Sequence, residues 1–151
     1  MMSNIENAII DDVSISMADH GCITFMVFIK GNGWFTSVGG YVNGHGYIGS
    51  DYWEGCGSAV VAMMKIMDTV GVEKWEDLKG KYIRVESDGW GSSIHKIGNI
   101  IKDNWFDIKE FFEKTKDEKP YVLDERSQKE NEDWDDEDDE LGKVDEFNGY
   151  E

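Results

Sequence analysis

The chain has 151 residues, with 15 Lys and Arg against 32 Asp and Glu, for a formal net charge of −17. Its 40% apolar and 13% aromatic residues suffice for a buried core, which excludes a wholly disordered chain, and the length suits one domain with an appendage. The acid excess speaks against a general basic surface for nucleic acid, because a polyanion would be repelled before local contacts formed.

No stretch approaches the run of about 20 apolar residues that a spanning helix requires. The opening MMSNIENAII has neither the basic flank nor the apolar segment of a secretory signal. These features predict no membrane association and a location in the cytoplasm. Cys22 and Cys56 are predicted to be unpaired thiols of a reducing compartment, with no disulfide.

Residues 7–17 alternate with Ile9, Val13, Ile15 and Met17 on one face, and residues 21–30 place Ile23, Phe25, Val27 and Ile29 together. Period and β-branched content predict two strands. Asn32-Gly33 suggests a type I′ turn returning the chain into Trp34–Val42, so the first third reads as a three-stranded antiparallel meander. Nine glycines in residues 31–57 predict that this third strand ends in bulges or irregular loop, either merely bent or shaped for close approach.

From Ser58 to Val70 the stripe Ala59, Met63, Ile66, Met67 and Val70 predicts the main helix, with Gly71 as its stop. A short turn around Trp75-Glu76-Asp77-Leu78 follows. Tyr82–Glu86 and Ser93–Ile100 then alternate as two strands across Asp88-Gly89-Trp90-Gly91. Asp107 and Glu110 have capping-box spacing for a short final helix carrying Ile108, Phe111 and Phe112. The expected fold is α+β, an antiparallel β-meander in the order β-β-β-α-β-β with one main helix and a short terminal one.

Charge divides the chain near Lys114. Residues 1–114 hold 10 basic and 16 acidic side chains, and residues 115–151 hold 5 and 16, giving −6 and −11. The second segment contains the only proline, Pro120, and the run Glu132–Glu140, which self-repels and has almost nothing to bury. Residues 1–114 are therefore predicted as the folded domain and 115–151 as a disordered acidic tail. Trp134, Phe147 and Tyr150 within it are candidate anchors for a host defence protein.

His20, His45 and His95 match no metal-ligand spacing, and no metal is expected. Cys56 precedes the main helix, where a helix end can activate a thiol, yet no base accompanies it in sequence. Phosphate loop, dinucleotide fingerprint and nucleophile elbow are all missing from the sequence. It predicts binding rather than catalysis, and no cofactor.

The strongest local candidate is an anion site at Asp88-Gly89-Trp90-Gly91-Ser92-Ser93, because glycine-rich turns aim backbone N–H groups at phosphate oxygens. Ser92 and Ser93 would add hydroxyl donors, His95 and Lys96 a cationic flank, and Trp90 a stacking surface. Arg84 shares a strand face with Tyr82 and Glu86, where it is either an ion-pair partner or a phosphate clamp.

The stretches Asp19–Phe25, Gly39-Gly40-Tyr41, Val70–Val85 and Ile97–Phe106 resemble a recurrent type of small phage-encoded protein. Within that type, the strand and helix order is similar to the Thoeris anti-defence sponges, which sequester a cyclic ADP-ribose isomer used as a bacterial immune signal. The resemblance spans roughly residues 7–112. It implies a homo-oligomer acting in the host cytoplasm, with ligand pockets at or near subunit interfaces, tight binding of a small cyclic nucleotide and no turnover. Pockets of that family use aromatic stacking and arginine contacts to phosphate.

Two other classes compete. An acidic nucleic-acid mimic that inhibits a host nuclease, in an anti-CRISPR or anti-restriction role, would use the acidic run directly. A single-stranded-DNA-binding protein with an acidic recruiting tail would need a positive groove, whereas residues 1–114 carry −6. Direct nucleic-acid binding is therefore not expected.

Overall fold

A computed structural model describes residues 4–46, 49–87 and 93–126. The alternating segment becomes β2 (Cys22–Lys30), with Phe25, Val27 and Ile29 fully buried on one face. β1 (Asn4–Asp19) and β3 (Phe35–Gly39) pair with it antiparallel, as the sequence predicts. The tight turn between β1 and β2 is made by His20 and Gly21, at φ +55° and +77°, the pair of positive values that a type I′ hairpin requires. At the next turn Gly33 has φ +84° while Asn32 stays negative, the signs of a type II turn instead of the expected type I′.

One feature of β1 reverses the expected face. A register shift between Ile10 and Asp12 leaves Asp11 as an extra residue, and such a bulge changes which side chains point inward. Ile10, opposite Ile29, is consequently buried, and Ile9 lies on the other face between Lys30 and Tyr82. Val13, beyond the bulge, returns to the core.

After β3 the chain follows the same side of β2 irregularly into β4 (Gly44–Gly46) and β5 (Tyr52–Gly55). The irregularity comes from close approach within the fold itself. A Cβ on Gly39 would stand 2.4 Å from the Phe25 carbonyl oxygen, and one on Gly44 would stand 2.4 Å from that of Glu54. α1 (Gly57–Val70) then crosses the apolar face, burying Ala59, Ala62 and Ile66, and ends at Gly71 in a left-handed C-cap.

β6 (Tyr82–Ser87), β7 (Lys96–Asn99) and β8 (Trp105–Asp107) extend the sheet on the far side of β1. α2 (Ile108–Lys114) starts where expected, with the Asp107 carboxylate accepting the Glu110 N–H at 2.9 Å. β9 (Tyr121–Asp124) pairs with β5. The path is β8-β7-β6-β1-β2-β4-β5-β9 with β3 also on β2, nine antiparallel strands among the described residues.

The class is therefore α+β with two helices and an antiparallel sheet. The expected order β-β-β-α-β-β is corrected by β4, β5, β8 and β9, strands of three or four residues that are too short to show alternation. The sheet also continues beyond Lys114, so residues 115–126 belong to the folded unit rather than to the tail. Residues 127–151, including the acidic run, lie outside the described residues. Among the described residues no helix is long and apolar enough to cross a membrane, and both cysteines are free.

Candidate functional site

Ile83 and Val85 of β6 are buried, which turns Arg84 and Glu86 to the opposite face of the sheet. The register then sets Arg84 beside Gly98 and Gly98 beside Trp105, with Glu86, Lys96 and Asp107 in the adjacent row. Because Gly98 has no side chain, the Trp105 indole lies over its backbone; a Cβ there would come within 2.5 Å of the ring. The same pairing recurs at Gly31 with Trp34 and at Gly46 with Trp53.

Two cations approach the Trp105 ring. The Arg84 guanidinium carbon is 4.8 Å from its centroid and the Lys96 ammonium 5.7 Å, both within cation–π range. Trp105 Nε1 donates to Asp103 at 3.0 Å, which fixes the ring in its plane.

Arg84 is anchored as well. Its Nε donates to the Asn99 carbonyl at 2.7 Å and one Nη to that of Lys102 at 2.8 Å. These bonds hold the 99–104 loop, and the Asn99 carboxamide completes the arrangement: its oxygen accepts from the N–H groups of Ile101 and Lys102, and its NH2 donates to the Thr69 and Val70 carbonyls at the end of α1. Lys96 pairs with Glu86 at 3.2 Å in a partly exposed bridge, which contributes little stability by itself.

Of the residues expected at the anion site, Arg84 and Lys96 meet around Trp105. His95 stands one residue before Lys96, its Nδ1 3.0 Å from the Asp107 carboxylate that caps α2. Ser93 is exposed in the segment leading to β7. Trp90 and Ser92 lie outside the described residues. Sequence reasoning missed Trp105, although a glycine on one strand facing a tryptophan on the next was the available signal.

Among the described residues no group of three His, Cys, Asp or Glu side chains is arranged to hold a metal ion. Comparison with known proteins finds no matching family model, curated protein or solved structure.

Proposed function

We propose that the protein is a phage anti-defence protein that sequesters a small cyclic nucleotide, a cyclic ADP-ribose isomer, without turnover in the host cytoplasm. The observation that supports this reading is the Trp105 indole with both Arg84 and Lys96 within cation–π range of it. An aromatic face accepts a base by stacking, and adjacent cations donate hydrogen bonds to phosphate oxygens. Because Arg84 and Trp105 are already fixed by hydrogen bonds, little ordering entropy remains to be lost when a ligand arrives.

Calorimetric titration with cyclic ADP-ribose isomers tests it. The parent protein is expected to bind stoichiometrically and return the ligand chemically unchanged after heat denaturation. Trp105→Ala is expected to lose about 1–3 kcal/mol of affinity, the usual contribution of a stacked base. A cleaved ligand, or no binding by the parent, would overturn the proposal. The acidic run at 132–140 favours a second reading, inhibition of a host nuclease by mimicry of nucleic acid or docking on a defence protein, and there inhibition would depend on the C-terminal segment.

Self-association belongs to the same proposal. Ile5, Phe35 and Tyr82 of the sheet, together with Val60 and Met64 of α1, are exposed, and apolar surface of this kind favours an interface. Light scattering at micromolar concentration is expected to give at least twice the mass of one chain; the mass of a single chain would count against it.

A further inference from the structure

An open sheet ends in strand edges whose N–H and C=O groups face outward, and such an edge recruits another strand unless something blocks it. Among the described residues four edges remain: β8, β9, β3 and the half of β1 beyond its bulge. Three are defended. β8 has three residues and runs directly into α2, and β9 follows Pro120 and is flanked by Lys119, Glu125 and Arg126. In β1, Asp11 and Asp12 put charge at the bulge, and the N–H groups of Val13 and Ala18 donate to the Asp12 carboxylate and the Ser16 hydroxyl, each at 2.9 Å.

β3 has none of these defences. Phe35-Thr36-Ser37-Val38-Gly39 holds no charge and no proline. The path of the chain leaves its far side open, because β4 joins β2 only opposite Cys22, and beyond the Cys56 N–H on the Asn43 carbonyl the chain quits the sheet as α1, which packs on β7 and β8. Pairing to β2 fixes which groups point away. The Gly31 N–H donates to the Trp34 carbonyl and the Gly40 N–H to the Phe25 carbonyl, both at 2.9 Å, in the register that sets Thr36 opposite Ile29 and Val38 opposite Val27. Since antiparallel bonding alternates, Thr36 and Val38 bond β2, and the N–H and C=O groups of Phe35, Ser37 and Gly39 face the open side.

We propose that β3 pairs antiparallel with β3 of a second copy about a twofold axis at Ser37, joining the two sheets. This rests on the self-association proposed above and names the edge that carries it. A twofold axis brings a strand against itself in antiparallel sense, so the outward groups of one copy meet those of the other. Centring on Ser37 sets Ser37 opposite Ser37, Thr36 opposite Val38 and Phe35 opposite Gly39, the one register that uses all three outward residues.

Each pair is complementary. The two Ser37 residues exchange N–H to carbonyl bonds across the axis, and Thr36 with Val38 makes a β-branched pair on the other face. Phe35, 59% exposed and stacked on Phe28 at 6.3 Å, covers a position that has no side chain. A ring over a cross-strand glycine recurs within this sheet, at Gly98 with Trp105 and at Gly46 with Trp53, and such pairs support edge glycines. Two chains of −17 repel, but charges farther apart than about 8 Å are screened at physiological salt. Association through an uncharged edge therefore tightens as salt is raised.

Light scattering of the full chain across a concentration series, at physiological and at raised salt, measures the dimer. Ser37→Pro is the deciding variant, because it removes an outward N–H and no bond to β2, a place where an edge strand accepts proline. It is expected to weaken dimerisation at least about tenfold, since each copy loses a bond at the axis, while the far-ultraviolet spectrum stays that of the parent. Should it fail to fold, Ser37→Glu sets two carboxylates opposite each other and carries the same readout. Ser37→Cys is expected to give a disulfide-linked dimer under mild oxidation, since paired Cα atoms about 5.5 Å apart lie within disulfide range. Val122→Cys, on the exposed β9, is expected to stay unlinked. A parent dimer that loosens with salt, that both Ser37→Pro and Ser37→Glu leave at full strength, or that links through Val122→Cys in place of Ser37→Cys would overturn pairing through β3 and leave self-association standing. The mass of a single chain for the parent would overturn both.

Discussion

Gly39→Ala is expected to destabilise the protein by about 3–5 kcal/mol, combining left-handed backbone strain with a contact that cannot relax by moving a side chain. Gly39 has φ +108°, and its new Cβ would stand 2.4 Å from the Phe25 carbonyl oxygen, which accepts the Gly40 N–H at 2.9 Å. Phe25 is at the centre of the core, edge-on to Trp75 at 5.7 Å, so displacing its backbone disturbs packing on both sides. Gly33→Ala is the control. Gly33 also has positive φ, +84°, but nothing lies within 4 Å of the added methyl. It should cost only about 1–2 kcal/mol, the conformational part alone. Urea titration of both variants measures the difference; equal midpoints would show that the chain at Gly39 relaxes away from Phe25.

The contrast between these glycines also explains how much of the fold was legible in sequence. Strict alternation over Cys22–Lys30 announces a half-buried strand, and the apolar stripe ending at Gly71 announces a helix. Neither depends on knowing the neighbours. The phase of β1 does depend on them, because the bulge at Asp11 is set by pairing to β2, and it buries Ile10 where continuous alternation favours Ile9. In residues 39–55 the chain is shaped by backbone approaching backbone, and glycine composition records that approach without saying which partner causes it.

The candidate site divides in the same way. Arg84 and Lys96 could be named from residue type and strand face, whereas the ring beside them, Trp105, required the β7–β8 register as well, which a glycine opposite a tryptophan only suggests.

Truncation separates the folded unit from the acidic segment. Ending the chain after Lys116 is expected to cost about 2–4 kcal/mol, because it removes a charged helix cap and a strand's hydrogen bonds together. The cap is the Glu118 carboxylate on Ser58; the strand is β9, paired from Tyr121 opposite Gly55 to Asp124 opposite Tyr52 and continued by the Glu125 N–H on the Asp51 carbonyl at 2.7 Å. Loss of β9 also leaves β5 as an unpaired edge open to other chains. Ending the chain after Arg126 keeps all of these contacts and removes 2 basic and 12 acidic residues, a net charge of −10, in a segment whose composition gives it little to bury. That second truncation is expected to match the parent in thermal melting and to retain affinity for a cyclic nucleotide. If it melts like the shorter form, the folded unit extends beyond Arg126. If nucleotide binding is absent and nuclease inhibition disappears with residues 127–151, the acidic segment carries the function and the sheet merely presents it.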